Sequence, residues 1–235
     1  MALAVVVAVC LRWITAPYGR HARSGFGPRL PARWAWCVME AVTLLGFGWC
    51  FLGAQETNAV GVLFLVLYGG HYLYRSFIYP WIGPPGAAQV PVFVVSLAVL
   101  FNVINSTVLG GTLYVVTPIQ RGLDLWLVSG TVLFVVGFVV HVRADAILRS
   151  LRRDHGPGYH IPKGFLYRWV SCPNYLGEIV QWCGFAVAMQ SLAGWTFVVW
   201  TISNLLPRAV RHHQWYRERF TDYPASRRAL VPGLL

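Results

Sequence analysis

The sequence predicts an all-α integral membrane protein with seven transmembrane helices, the N-terminus outside and the C-terminus in the cytoplasm. Three observations predict it. Apolar residues make up 57% of the 235-residue chain, mean hydropathy is +0.55, and only 11% of residues are charged. A soluble domain carries about 25% charged residues, so much of this surface must face lipid. Next, apolar stretches recur at lengths near the ~20 helical residues that a ~30 Å hydrocarbon core demands. Finally, arginines alternate between connections in the way the positive-inside rule requires.

The seven stretches run roughly over residues 1–16, 34–54, 59–79, 89–108, 123–142, 173–190 and 193–207. Pro/Gly-rich or polar connections separate most of them. The first run has no basic segment ahead of it and no clear cleavage site, so it reads as a span rather than a removable signal. The connection after it carries Arg20, Arg23, Arg29 and Arg33. The fifth connection carries Arg143, Arg149, Arg152, Arg153, Lys163 and Arg168, and the tail Arg208, Arg211, Arg217, Arg219, Arg227 and Arg228. The second connection has no Arg or Lys and the fourth only Arg121. Seven spans fit this parity; six or eight break it. A single membrane domain is expected over residues 1–235, with the first four spans in 1–122 and the last three, with their arginine-bearing connections, in 123–235.

The formal net charge of +11 is split among several connections, which argues against a nucleic-acid surface and for membrane lipid. Cys10, Cys37, Cys50, Cys172 and Cys183 have no metal-site spacing and read mainly as buried free thiols. Adjacent His212 and His213 lack a nearby carboxylate, so no metal is expected.

Charge inside a span is costly, by about 2.5–3.5 kcal/mol or more at its centre. Glu40 and Glu178 both lie inside apolar runs, and such carboxyls mark functional sites more often than packing contacts. The third stretch ends in HYLYRSFIY (71–79). Helical spacing groups His71, Tyr74 and Arg75 on one face, and Tyr72 with Ser76 on another. Arg75 reads as an anchor at the cytoplasmic end, whereas Tyr72 lies deeper, within reach of Glu40 on a neighbouring span. A tyrosine held by a carboxyl donates a proton or stabilises an oxyanion.

Asp145, Arg149 and Arg152 share a helical face at spacings of four and three. Tyr159 and His160 follow in a Gly/Pro loop, and Pro173 is suited to open a helix. With Arg208, Arg211, His212 and Tyr216, this set suits a large anionic ligand bearing phosphates. No Walker or GxGxxG pattern is present, so a nucleotide would need a different kind of site.

The stretches VSCPNYLGEIVQW (170–182), NLLPRAVRHHQWY (204–216) and FTDYPASRRALVP (220–232) closely resemble the C-terminal region of the steroid 5α-reductases. RLPARWAWCVMEA (29–41) and HYLYRSFIY look like the same family's second- and third-span motifs. The resemblance covers most of the chain from about Pro17 and is weakest from Pro80 to Asp124. It implies a multi-pass enzyme that reduces the 4,5 double bond of a 3-oxo-4-ene steroid, or a similar sterol-like enone, with NADPH. It implies that Glu40 and Tyr72 contact the 3-keto group as the catalytic pair. Cofactor contacts carry over to Asp145, Arg152, Tyr159, Asn174, Trp182, Arg208, His212 and Tyr216. Arg149 and Arg227 lie in the same motifs and join that set, with Glu178 on the substrate side. The membrane would be the bacterial inner membrane or, in a eukaryote, the endoplasmic reticulum; Arg/Ala/Val-rich usage leans bacterial. A monomer is expected.

Three departures stand out. His141 replaces a frequent Asn, His160 a frequent Arg, and the loop Pro84 to Ala88 lacks the arginines of relatives. Fewer arginines there weaken the grip on a 2′-phosphate, yet NADPH is expected over NADH. Two other classes share some of these features. One is an S-adenosylmethionine-dependent membrane methyltransferase of the isoprenylcysteine carboxyl type; the other is a non-catalytic sterol-binding protein.

Overall fold

The computed structural model describes residues 23, 25–82, 88–116, 122–156 and 158–235. The first expected span, Cys10, Arg20, Arg121 and the arginine-poor loop Pro84 to Ala87 lie outside the described residues. The chain divides into two compact units, one over Ala16–Asp124 and the other over Leu125–Leu235, apart from residues 1–15.

The N-terminal unit is built on two short strands, β1 (Arg29–Pro31) and β2 (Gln89–Pro91), that pair antiparallel with Leu30 opposite Val90. Sequence reasoning assigns these residues no strand. Each strand ends in a proline followed at once by a long helix, α1 (Ala32–Leu52) or α4 (Val92–Gly111). Proline fixes φ and lacks the N–H that a helix start leaves unpaired, so it suits this junction. Cross-links Asn102 to Met39 O (2.6 Å), Ser106 beside Gly46 and Gly110 beside Cys50 climb together, so α1 and α4 run side by side in the same direction.

Helix α2 (Ala59–Leu73) opens on Asn58, whose side chain accepts from the backbone N–H groups of Val60 and Gly61 at 3.0 Å each. It packs on α1 through Phe47 stacked on Tyr68, with ring centroids 4.0 Å apart. A π-helical turn, Tyr74–Ile78, follows directly and leads into the short α3 (Tyr79–Ile82). That wide turn shifts the register of the residues after Leu73 relative to an unbroken α-helix. A second π-helical stretch, Thr112–Val116, extends α4; its Tyr114 hydroxyl donates to Gly61 O at 2.9 Å.

The C-terminal unit has three long helices: α5 (Leu125–His155), α6 (Pro173–Met189) and α7 (Leu192–Arg219). At 1.5 Å per residue α5 is about 46 Å long, more than a ~30 Å hydrocarbon core. Helices α5 and α6 approach until their backbones touch. A Cβ on Gly177 would lie 2.5 Å from the backbone nitrogen of His141, and one on Gly137 would lie 2.6 Å from Gly177 O. Gly130 and Gly184 repeat the contact seven residues away on each helix. Between helices in lipid, close packing replaces the missing hydrophobic drive, so small residues mark the interface.

Gln190 in the left-handed region (φ 52°, ψ 40°) ends α6, and the Ser191 hydroxyl accepts from Gly194 N–H to start α7. The tail returns to the segment ahead of α6: Val170 bridges Arg228, and Ser171 N–H donates to Arg228 O at 2.8 Å.

Three helical stretches among the described residues are long and apolar enough to cross a membrane: Ala32–Leu52, Val92–Val116 and Leu125–His155. Their outer faces are apolar, with Trp49 79% and Leu52 80% exposed on α1 and Val132 and Val139 more than half exposed on α5. Faces of this kind suit lipid. The protein is mostly helical and membrane-bound, and helices occupy the second to seventh of the expected stretches. Cys37, Cys50 and Cys172 are buried free thiols and Cys183 is half-buried and free.

Adding a methyl group at the tight crossing should be costly. Gly177→Ala is expected to destabilise the protein by about 1–3 kcal/mol, the usual range for overpacking, read as a lower thermal midpoint in detergent. Gly48→Ala, which meets nothing within 4 Å, should be neutral or slightly stabilising. Equal midpoints for Gly177→Ala and the wild type would contradict the backbone contact.

Candidate active site

In the N-terminal unit, α1 supplies Glu40 and α2 supplies Tyr72, both from inside apolar helices. Glu40 is mostly buried and pairs with Arg75, Oε1 to Nη2 at 3.5 Å. Arg75 sits on the π-helical turn, with its guanidinium 4.9 Å from the Trp36 ring centroid and 5.1 Å from that of Tyr79. It is therefore an inward partner of the carboxyl rather than the interface anchor the sequence suggests. Tyr72 is buried, and its hydroxyl is hydrogen-bonded to that of Tyr68, whose ring lies 4.7 Å away. Tyr68 is fully buried and also receives Asn105 Nδ2 at 3.5 Å. Sequence reasoning missed Tyr68 and Asn105. A tyrosine one turn before Tyr72 on the same face was the available signal.

In the C-terminal unit, Asp145 on α5 is buried and accepts from Asn174 Nδ2 at 2.9 Å. Asn174 stands in the first turn of α6 beside Pro173, where the chain changes from the tail-paired segment into a helix. His141, one turn before Asp145, is buried between Asp145 and Glu178. Arg149 and Arg152 continue the same helix outward, with Arg152 exposed. Tyr159 is 43% exposed and meets Trp215 edge to face at 5.0 Å. On α7, His212 Nε2 lies 3.1 Å from the Tyr175 hydroxyl, and Arg208 is one turn earlier.

Other expected contacts lie deeper. Trp182 is buried among Phe134, Phe185 and Phe197, the last at 4.6 Å. Tyr216 is buried and stacks on Tyr223 with planes 11° apart. Arg227 is 3% exposed and lies over the Tyr223 ring at 5.0 Å. So the structure brings Asp145 and Asn174 into direct contact and leaves Arg152 and Tyr159 facing out. Trp182, Tyr216 and Arg227 are packed into the interior.

A network that sequence reasoning missed ties the tail down. Ser171 Oγ lies 2.7 Å from His213 Nδ1, 2.6 Å from the Tyr223 hydroxyl and 3.0 Å from Arg228 O. His213 stands past the apolar part of α7. Burial, and then the cations Arg217, Arg227 and Arg228, hold its pKa below the ordinary 6.5. Among the described residues no cluster of His, Cys, Asp and Glu has the makings of a metal site.

The sequence model of the family described as 3-oxo-5-alpha-steroid 4-dehydrogenase matches residues 88–235, which includes the whole C-terminal unit from Leu125. Full-length relatives agree. The chain is 36% identical to the 3-oxo-5-alpha-steroid 4-dehydrogenase 1 of Bos taurus, over 100% of this chain and 93% of that protein. It is 38% identical to the Rattus norvegicus protein of the same name, over 99% and 92%.

The chain belongs to the 3-oxo-5-alpha-steroid 4-dehydrogenase family.

A plant relative, the steroid 5-alpha-reductase DET2 of Arabidopsis thaliana, is 36% identical over 96% of this chain and 90% of its own length. Membership of this dehydrogenase family makes the protein an oxidoreductase, which sets aside the methyltransferase and non-catalytic readings.

The His213 environment has a pH consequence. A base whose folded pKa is lowered is neutral in the fold while the unfolded chain takes up a proton. Stability is thus fully present above pH 6.5 and lost as pH falls from there toward the lowered folded value. The thermal midpoint of the wild type should drop more steeply below pH 6.5 than that of His213→Gln. Parallel curves would contradict this assignment.

Proposed function

We propose that this family member reduces the 4,5 double bond of a 3-oxo-4-ene steroid to the 5α-dihydro product, using NADPH. The observation that supports it most directly is the pairing of two features in one chain. The N-terminal unit has a buried Tyr72 and a mostly buried carboxyl, Glu40, on adjoining helices. The C-terminal unit has an acid–amide pair, Asp145 and Asn174, at the base of an arginine-bearing helix. Membership of a family of steroid reductases supports the substrate class.

The donor set fits a phosphate-bearing dinucleotide. Arg149, Arg152 and Arg208 would take the phosphates, since guanidinium forks match phosphate oxygens. Tyr159 would offer an aromatic face, with Asp145, Asn174 and His212 as polar contacts. Buried Trp182, Tyr216 and Arg227 would support these from behind. When bound, NADPH supplies the hydride.

The chain's own residues polarise the acceptor. The Tyr72 hydroxyl donates to the 3-keto oxygen, which makes C5 electrophilic. Glu40, with Arg75 beside it, orients that donor. Hydride adds at C5 from the α face, the 4,5 π bond shifts toward C4, and the enolate that forms is held by the same donors. A proton then reaches C4 and the carbonyl is restored. Stabilising such an oxyanion is typically worth about 2.7–4 kcal/mol per donor. The protein crosses the membrane seven times, with its arginine-rich connections and C-terminus in the cytoplasm.

Purified protein with NADPH and a 4-ene-3-one steroid should oxidise the cofactor and yield the 5α product. Tyr72→Phe and Glu40→Gln should each cut kcat about 100-fold or more with thermal midpoints near the wild type's. Wild-type turnover in both would remove the pair from the mechanism. Separately, Arg152→Ala and Arg208→Ala should raise KM for NADPH while leaving kcat little changed. An unchanged KM would mean that the phosphates lie elsewhere.

A further inference from the structure

His141 departs from the residue often found in the family, and its surroundings give it a task. The imidazole is 1% exposed. Its Nε2 lies 3.6 Å from Oδ2 of Asp145, one helical turn along α5. Its Nδ1 lies 3.1 Å from the backbone oxygen of Asn174 and 3.7 Å from Oε2 of Glu178. Asn174 closes the circuit by donating from Nδ2 to the other Asp145 oxygen at 2.9 Å. The ring therefore faces oxygen atoms at both nitrogens, within hydrogen-bond distance at Nδ1 and in a longer polar contact at Nε2; a neutral imidazole donates from one of the two and an imidazolium from both. It has little room to leave, because a Cβ on Gly177 would already lie 2.5 Å from its backbone nitrogen.

We propose that His141 is a positioning residue for the cofactor, holding the Asp145 carboxyl and the first turn of α6 in the arrangement that receives NADPH. The argument rests on the proposed assignment of Asp145 and Asn174 to the cofactor. A carboxyl has two oxygens and turns about its last bond unless both are engaged. Asn174 engages one, and His141 faces the other. The same ring is hydrogen-bonded to the Asn174 backbone oxygen through Nδ1, so the turn that carries the amide and the carboxyl it meets share one buried neighbour. Glu178 gains a polar neighbour inside an apolar helix from the same imidazole. Groups that orient first contacts in this way commonly govern affinity as strongly as the contacts themselves.

The test is a double-substitution cycle read by direct NADPH binding, with the purified protein in detergent. His141→Phe keeps a ring of similar size without the nitrogens. It should raise Kd and KM for NADPH about tenfold, the order seen when a group that orients a first contact is removed. KM for the steroid and kcat should stay within about twofold, since neither depends on this pair in the proposed reaction. His141→Gln, which retains a donor, should recover most of the affinity. Combining His141→Phe with Asp145→Asn should weaken binding no further than the worse single change. An unaltered NADPH Kd in His141→Phe, or full additivity in the cycle, overturns the proposal. If the phenylalanine variant does not fold, the same cycle with His141→Leu, which also lacks the nitrogens, decides by the same criterion of additivity. A wild-type protein that binds no NADPH instead sinks the cofactor assignment on which the proposal rests.

Discussion

Backbone contact between α5 and α6 at Gly137 and Gly177 is the constraint from which the C-terminal unit follows. Lipid tails are as apolar as leucine, so two helices gain little by hiding hydrophobic surface from lipid. They gain by close packing, and here the packing is as close as main chains allow. That contact sets the register of the two helices. It puts His141 and Asp145 of one against Asn174 and Glu178 of the other, where the last turns of the spanning helix give way to its arginines. The heptad repeat of the glycines, at 130 and 137 and again at 177 and 184, keeps the helices together over two turns and leaves little freedom to slide.

Polarity within the apolar helices follows one pattern in both units. Three acids within apolar helices each meet a specific neighbour: Arg75 for Glu40, Asn174 for Asp145, and His141 for Glu178. Such neighbours offset the cost of removing charge from water. They also hold the groups in fixed directions, which a polarising hydroxyl or a cofactor contact requires. The π-helical turn at Tyr74–Ile78 belongs to this pattern, since it carries the arginine that meets Glu40. Such wide turns recur at functional sites.

The sequence made the helices legible because apolar length is a strong signal, and the second to seventh stretches each correspond to a helix. The family motifs nominated the candidate site residues. What remained hidden depends on long-range placement. Neither Arg29–Pro31 nor Gln89–Pro91 reads as a strand alone, because three residues carry no alternation and each needs the other as partner. Arg75 looked like an interface anchor because it stands near the end of an apolar run, and its partner Glu40 lies on another helix, 35 residues away in sequence. Glycines 137 and 177 carry no distinguishing signal in the sequence, since close approach shows only when the partner helix is present. The Ser171–Tyr223 bond joins positions 52 residues apart through a tail with no periodicity. His141 was visible as a departure, yet its two carboxyl neighbours lie on different helices and only folding brings both to it.

The central claim is that an enone is polarised at its oxygen and then accepts hydride at C5. Isotope placement tests this without any substitution in the protein. Purified enzyme is given NADPH deuterated at the transferable position of the nicotinamide and a 4-ene-3-one steroid, and the product is read by NMR. The account predicts one deuterium at C5 on the α face and a solvent-derived hydrogen at C4. Deuterium at C4, deuterium on the β face of C5, or a reduced product without label would contradict it.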